Sequence, residues 1–397
     1  IAEIAGDMNL EGVSSVQGKV VLHSAGSILD ALHSDSAKVA GVRIELSAAN
    51  AIGAAGDYLE TDMSGAGTLT ATADGNIRLH ETFGDFNVDG IVSVHGDVDL
   101  RAHQSIVDAA TAANDNSGLE DRPGTDISGN NIALISDFGA IGRSGNDLDI
   151  DSAYSGAGTL TSSSYLGANI IETAADLSIN QISAGSGYTA FIAAPKGSIL
   201  NGRASGSNVL SGKTYLFAKQ NIGSTDNVLV TEVGTLQGES TLGSTWITNM
   251  GALSVDAVDG SSPTGMHAGG SIYVSTHSPV TIDKDIVSDS NEIVVVAVDD
   301  ANDGTDPATD DVPDDLTVKD GVTIRAKNSY VKLLAGDDLT IESGASVVAH
   351  DYASIQGDFR GDQFGNIAAG TPNQDPGRGS TITILGSVQS DVRIDIS

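Results

Sequence analysis

The chain has 397 residues, of which 48 are Gly, 8 are Pro and none is Cys, and aromatic residues make up only 4%. Its 19 Lys and Arg residues stand against 53 Asp and Glu residues, which gives a formal net charge of −34. This charge excludes binding to nucleic-acid phosphates and anionic membranes, and the missing Cys excludes disulfides and thiolate metal sites. The longest apolar run, 293–298, is far too short for membrane insertion.

Two phrases recur along the chain. The heptapeptide SGAGTLT at 64–70 returns unchanged at 155–161. A second pattern, built around Ser-Ile and a following Asp or Asn, occurs at 26–31, 104–109 and 197–202. The offsets between copies are unequal, so insertions have been absorbed between them. Internal repetition of this kind predicts an architecture of stacked units.

Alternation of apolar and polar residues predicts short strands throughout; Val98, Leu100 and Ala102, for example, share one face. A finer motif precedes many strands: a small or polar residue, then Ser or Asn, then Ile. It occurs at 26–28, 75–77, 104–106, 130–132, 168–170, 197–199, 220–222 and 270–272. We expect Gly75 to form a corner with positive φ, the Ile to point inward, and Ser and Asn of successive coils to form hydrogen-bonded ladders.

These patterns predict an all-β solenoid built from irregular internal repeats, with about 16 to 20 coils. Neighbouring copies of the short motif lie about 23 to 29 residues apart in several places, which suits one coil of a solenoid. A string of β-sandwich domains is the alternative, because the long repeats have the size of such domains. The single Trp246 and the finer period inside each repeat favour the solenoid.

The predicted domain organisation has two parts. Residues 1–255 hold three degenerate repeat units of about 78–93 residues, and 256–397 continue the solenoid. An acidic insertion at about 299–315 and a Gly- and Pro-rich loop at 361–379 interrupt the second part, and we expect the loop to protrude.

Phrases such as GNIRLHET at 75–82, GDFNV at 84–88 and GDVDL at 96–100 resemble repeats of filamentous-haemagglutinin-like β-solenoid adhesins and related giant bacterial exoproteins. The resemblance covers about residues 13–255. In the remainder only the general pattern of short strands is similar. It implies a right-handed parallel β-helix and a role in adhesion or extracellular structure. It carries over no active site.

The acidic insertion is the candidate metal site, since Ca²⁺ takes six to eight oxygen ligands. Its spacing departs from the EF-hand pattern, because Ala301 occupies a ligand position. A calcium site and a solvated loop that prevents lateral association are equally good interpretations. The candidate ligands are Asp299, Asp300, Asp303, Asp306, Asp310 and Asp311.

No catalytic residue is predicted. The pairs His80-Glu81 and His95 with Asp97 fit ordinary strand surfaces, because catalysis needs groups that converge in a pocket. Asp299-Asp300 and Arg325-Ala326-Lys327 resemble two of the three elements of galacturonan hydrolases of this fold, but no His lies between them.

The function expected from the sequence is therefore non-enzymatic: a rod-like stalk or fibre-forming segment of a large bacterial surface or secreted protein. Polysaccharide binding or cleavage is the alternative. Candidate partners are further copies stacked end to end, or host or matrix glycans and proteins. The expected location is extracellular or the cell surface, as a mature or excised segment of a longer chain. Exposed tyrosine rings can bind sugars, but tyrosines in strands are more often packing residues, so this role is not favoured for any of the four tyrosines considered. They are Tyr154, Tyr165, Tyr188 and Tyr215.

Overall fold

The computed structural model describes residues 1–109, 124–258, 263–277, 279–298, 314–366 and 380–397. The chain divides into two compact units, Ile1–Gly197 and Ser198–Ser397, called here the first and the second unit. The described residues contain no helix, and parallel strands stack in successive coils within each unit. The predicted parallel β-solenoid is confirmed. Its turns number about 14, fewer than predicted, because several coils are longer than the motif spacing suggested. Aligned positions of neighbouring coils include Val98 with Ile132, Ile293 with Val331, and Leu339 with Ile382.

The strands of the first unit pair in parallel with strands one coil before and one coil after them. They are β1 Ala2–Glu3, β2 Met8–Leu10, β3 Val13–Ser24, β4 Ile28–Asp30, β5 Val39–Ala48, β6 Leu59–Ala73, β7 Ile77–Glu81, β8 Phe86–Ser93, β9 Val98–Ala102, β10 Ile106–Asp108, β11 Ile127–Ser128, β12 Ile132–Ser136, β13 Leu148–Asp151, β14 Leu160–Ser164, β15 Ala168–Glu172, β16 Leu177–Ser183 and β17 Thr189–Ala194. One column of neighbouring strands runs through β7, β9, β12 and β14.

Aliphatic side chains fill the interior of each coil. In the first unit Ile28 aligns with Ile52, Ile52 with Ile77, and Ile77 with Val98, and all four are fully buried. Burial of such a side chain contributes about 1.5–3 kcal/mol relative to exposure. The predicted inward direction of the motif's Ile is therefore confirmed.

The second unit contains nineteen further strands, β18 to β36, among its described residues. They are β18 Ile199–Asn201, β19 Val209–Ala218, β20 Leu229–Ser240, β21 Thr245–Asn249, β22 Leu253–Val255, β23 Met266–Ala268, β24 Ile272–Thr276, β25 Val280–Ile282, β26 Ile286–Ser288, β27 Ile293–Ala297, β28 Leu316–Val318, β29 Thr323–Ala326, β30 Val331–Ala335, β31 Leu339–Ile341, β32 Ser346–Ala349, β33 Tyr352–Gln356, β34 Ile382–Ile384, β35 Ser387–Ser390 and β36 Arg393–Ile396.

From β21 onward the described residues give three strands per coil, and each strand pairs in parallel with the third strand after it. Thus β24 pairs with β27, and β27 pairs with β30. Ile272 aligns with Ile293, and Ile293 aligns with Val331 across the acidic insertion. The solenoid continues without a break through residue 255, the boundary predicted between the two parts, since β22 pairs with β25.

Polar side chains at one corner form a ladder between coils, as predicted. In the second unit the N–H of Asn221 donates to Ser198 Oγ at 3.4 Å, and the N–H of Ser244 donates to Asn221 Oδ1 at 2.9 Å. The N–H of Ser271 donates in turn to Ser244 Oγ at 2.9 Å. An equivalent ladder in the first unit runs through Asn76, Asp97, Asn131 and Thr159. Each side-chain oxygen thus accepts a hydrogen bond from the backbone of the next coil.

A further phrase, which was not part of the sequence prediction, recurs without gaps at 51–63, 140–152 and 221–233. Each copy contains Ile-Gly, and the glycines have positive φ: +70° at Gly53, +64° at Gly142 and +65° at Gly223. The Ile of each copy aligns with the Ile of one Ser-Ile repeat: Ile52 with Ile28, Ile141 with Ile106, and Ile222 with Ile199. The same two-coil block therefore occurs three times.

Each block holds one polar pair at the same place, and the three pairs differ in chemistry. The backbone N–H of Lys38, Asp126 and Asn208 donates to the equivalent carbonyl of the next coil. Their side chains meet the third residue of β4, β10 and β18. The pairs are an ion pair between Lys38 and Asp30 at 3.3 Å, two hydrogen-bonded carboxyls at Asp126 and Asp108, and an amide pair between Asn208 and Asn201 at 2.8 Å.

Gly75 does not have the positive φ that was predicted. A Cβ at this position would instead lie 2.9 Å from the carbonyl oxygen of Asn50 in the neighbouring coil. The corner therefore needs a glycine because two backbones approach closely, and not because the chain turns left-handed there.

The described part of the Gly- and Pro-rich loop packs against the second unit instead of protruding. Gln363 Oε1 accepts a hydrogen bond from Thr248 Oγ1 at 3.1 Å, and the ring of Phe364 meets Tyr273 edge-on at 6.2 Å. Phe359, just before the loop, joins an outward apolar cluster with Val294 and Val296. Residues 367–379 lie outside the described residues.

Candidate functional site

A polar cleft of about 270 Å³ opens on the outer face of the first unit. Four coils contribute to it: the loop between β4 and β5, the turn before β6 with the start of β6, and the strands β7 and β9. Its lining residues are His33, Asp35, Gly56, Asp57, Tyr58, Glu60, His80 and Arg101.

Glu60, which lines the cleft, also contacts a polar cluster around Lys38, whose side chain is fully buried. Lys38 Nζ lies 3.3 Å from Asp30 Oδ2 and 3.6 Å from Glu60 Oε2, and it also donates to the carbonyl of Ser34 at 2.6 Å. Glu60 Oε2 has no hydrogen-bond partner apart from this ion pair. Burial raises the pKa of Glu60, which leaves its carboxyl closer to protonation than an exposed one.

His33 forms one wall of the cleft and has a left-handed backbone, with φ of 48°. Its Nδ1 lies 2.7 Å from Asp57 Oδ2, and this hydrogen bond raises the pKa of His33. A non-glycine residue in this region of φ is uncommon, and the contact with Asp57 holds it in place.

Tyr58 and His80 also line the cleft, with their rings edge-on at 6.2 Å. Burial, followed by the hydrogen bond to Asp99, raises the pKa of Tyr58 to about 12, so its hydroxyl remains a donor. Burial and then the charge of Arg101 lower the pKa of His80. The cleft thus offers neutral donors and acceptors beside charged groups, a mixture suited to a ligand rich in hydroxyls.

A row of four rings, called here the aromatic row, begins beside the cleft. Its members follow the ends of β7, β9, β12 and β14, so each successive coil supplies one ring. Ring centroids are separated by 6.3 Å, 5.1 Å and 6.5 Å along the row. The members are Phe83, His103, Phe138 and Tyr165.

The residues considered from sequence lie elsewhere or point apart. His80 faces the cleft, whereas its neighbour Glu81 is fully buried. His95 Nδ1 contacts Asp74 at 2.8 Å, while Asp97 accepts the ladder bond from Asn131. Among the four tyrosines, Tyr215 is buried; Tyr154, Tyr165 and Tyr188 are exposed.

The six candidate calcium ligands, Asp299, Asp300, Asp303, Asp306, Asp310 and Asp311, lie outside the described residues, and their role stays a prediction. Asp315, at the end of the insertion, accepts a hydrogen bond from the N–H of Asp338 at 3.0 Å. Across the part of the chain that is described, no group of three or more His, Asp or Glu side chains is placed to hold a metal ion. Lys327 pairs with Asp289 at 2.6 Å, as an ordinary surface ion pair.

Comparison of the chain with known protein families, curated proteins and solved structures finds no match. The resemblance to filamentous-haemagglutinin-like adhesins therefore stays a prediction. No helix within the described ranges is long and apolar enough to cross a membrane.

Sequence reasoning missed both the cleft and the aromatic row. A signal for the row was present, since an aromatic or His residue follows within two positions of each of four strands. The cleft has no comparable signal, because His33, Glu60 and Arg101 belong to different coils and meet only after folding.

Proposed function

We propose that this chain is a non-enzymatic structural and adhesive segment of a large extracellular bacterial protein. The observation that carries the proposal is the ladder at the coil corners, in which side-chain oxygens of one coil accept backbone N–H groups of the next. The ladder runs along the same direction as the backbone hydrogen bonds between coils. A second line of hydrogen bonds in this direction helps the stacked coils to resist extension. An enzyme would not need such a line in order to form an active site.

The charge of the chain supports the same proposal. With a net charge of −34, copies repel one another laterally and remain soluble. The same charge does not prevent copies from stacking end to end, because parallel strands pair through backbone groups and not through side-chain charge. Self-association end to end, or attachment to matrix glycans or proteins, are the proposed partnerships.

Electron microscopy of the purified chain, with calcium and with a chelator, tests the proposal. We expect filaments or extended particles that carry no enzymatic activity. Filaments that depend on calcium would connect assembly with the acidic insertion. Compact particles that never assemble and bind no matrix component would contradict it.

A second candidate, polysaccharide cleavage, is favoured by one observation: the raised pKa of Glu60 at a cleft that also presents Asp57 and Asp35. Glycoside hydrolysis uses a pair of carboxyl groups, one of which donates a proton, and a raised pKa suits that role. Release of reducing ends from a polysaccharide panel, lost in Glu60→Gln, would establish this activity in place of the structural one.

A further inference from the structure

The aromatic row carries more exposed apolar surface than its surroundings explain. Phe83 is 70% exposed, Phe138 is 61% exposed and Tyr165 is 62% exposed. Single exposed apolar residues are ordinary, but a contiguous set marks an interaction surface. All four rings lie on the same corner, one per coil, so the surface is a line that follows the stacking direction.

The border of the row is polar and locally balanced in charge. Arg101 pairs with Asp137 at 3.0 Å, and Asp137 directly precedes Phe138 in the chain. Arg143 pairs with Asp85 at 2.8 Å, and Asp85 follows Phe83 by two residues. These pairs offer both donors and acceptors to hydroxyl groups. An anionic ligand would meet the repulsion of a chain with net charge −34.

We propose that the aromatic row binds a linear glycan of uncharged sugars, laid along the stacking direction of the first unit. Pyranose rings present apolar C–H faces that pack on aromatic rings, and their hydroxyls hydrogen-bond to flanking groups. A repeating ligand matches a surface that repeats once per coil. A folded protein partner fits less well, because a stable protein interface buries about 800 Å² on each side and the row is one side chain wide.

The inference rests on the adhesive part of the proposed function and names its partner. It uses no catalytic step, and the adjacent cleft is not required for it. Arg101, which lines the cleft and also borders the row, would orient sugar hydroxyls while paired with Asp137.

The test is binding of the full chain to soluble neutral polysaccharides (dextran, mannan and hydroxyethyl cellulose), with polygalacturonate and heparin as anionic comparators. A triple variant, Phe83→Ala, Phe138→Ala and Tyr165→Ala, should bind at least one neutral glycan about tenfold more weakly or worse. Tyr154→Ala removes an exposed aromatic outside the row and should bind as the unmodified chain does. Thermal unfolding checks that both variants remain folded.

A second triple variant with Leu at the same three positions separates ring stacking from general apolarity and protects the test if the Ala variant unfolds. Its binding should also be lost. The inference is overturned if the unmodified chain binds none of the neutral glycans, if either triple variant binds normally, or if the row instead mediates self-association in sedimentation. In the first case extended particles in electron microscopy would still uphold the structural proposal, so the two failures are distinguishable.

Discussion

Glu81 is a fully buried carboxyl whose hydrogen-bond donors are neutral. Thr61 Oγ1 donates to Glu81 Oε2 at 2.7 Å, and the N–H of Met63 donates to Oε1 at 2.9 Å. Burial, which outweighs these bonds, raises the pKa of Glu81 from 4.5 to about 7. Asn249 holds the equivalent place in the second unit and accepts the same two bonds, from Thr231 and Val233.

Glu81→Gln is therefore expected to stabilise the chain at pH 8 and to have little effect at pH 4. The folded pKa is raised, so stability is lost as pH increases from about 4.5 to about 7, where the unfolded carboxyl ionises first. The gain at pH 8 should be on the order of 1–3 kcal/mol, since one pKa unit corresponds to about 1.4 kcal/mol. The Thr61 hydroxyl can turn to the His80 carbonyl, 3.4 Å away, when an amide nitrogen replaces Oε2.

Urea unfolding at the two pH values measures this difference. Asn249→Gln is the control without an ionisable group: whatever it costs, its effect on stability should be the same at pH 4 and pH 8. An equal effect of Glu81→Gln at pH 4 and pH 8 would show that Glu81 is not the titrating group.

The equivalent polar pairs of the repeated blocks can be tested by exchanging a carboxyl for an amide in one block and an amide for a carboxyl in another. Burial, and then the charge of Asp108, raise the pKa of Asp126, so this pair disfavours folding as pH rises above the ordinary range of a carboxyl. Asp126→Asn removes one of the two carboxyls, so the variant should gain more in thermal midpoint over the unmodified chain at pH 8 than at pH 4. Asn208→Asp, the reverse change in the amide pair, should lower the midpoint at pH 8 by more than at pH 4. Calorimetry at both pH values measures the thermal midpoints of the two variants. Changes of the same sign in both variants would refute the idea that ionisation of the carboxyl pair opposes folding.

At the scale of strands and turns, three glycines of the first unit separate backbone strain from close approach. Gly56 has φ of +75°, and nothing lies within 4 Å of a Cβ added there. Gly75 lacks a positive φ, but a Cβ added there would lie 2.9 Å from a neighbouring carbonyl oxygen. Gly53 has both, with φ of +70° and the Arg78 carbonyl at 2.4 Å. We expect Gly56→Ala to cost about 1 kcal/mol, and Gly53→Ala to be the most destabilising of the three.

Chemical denaturation of the three Ala variants gives the order, and Gly75→Val extends it with a larger side chain. A cost at Gly53 no greater than at Gly56 would mean that the neighbouring coil moves aside easily. The close approach would then not be what requires glycine at these corners.

The sequence predicted the elements better than the turns between them. Alternation and the recurring Ile identified the inward positions, because burial depends on a two-residue period that a single chain displays. Gly75 was correctly placed at a corner but for the wrong reason, since close approach depends on Asn50 of another coil. The cleft at Glu60 was not predictable, because its members come together only when the coils are in register.

At the scale of the whole chain, net charge governs the response to salt. A charge of −34 repels itself in the compact state, and salt screens it over about 10 Å at 0.1 M. Raising NaCl from about 0.02 M to about 0.5 M should therefore raise the thermal midpoint. A midpoint unaffected by NaCl would show that the carboxylates are too widely spaced to repel.

Calcium at matched ionic strength separates screening from a specific site. If the acidic insertion binds Ca²⁺, millimolar CaCl2 should raise the midpoint above that in NaCl of equal ionic strength, because a ligand that binds only the folded state stabilises it. A variant with Asn in place of Asp299, Asp300, Asp303, Asp306, Asp310 and Asp311 should lose this surplus and keep the response to NaCl. A surplus that survives in the variant would move the calcium site elsewhere. No surplus in the unmodified chain would leave the insertion as a solvated acidic loop, whose charge then acts only by keeping neighbouring chains apart.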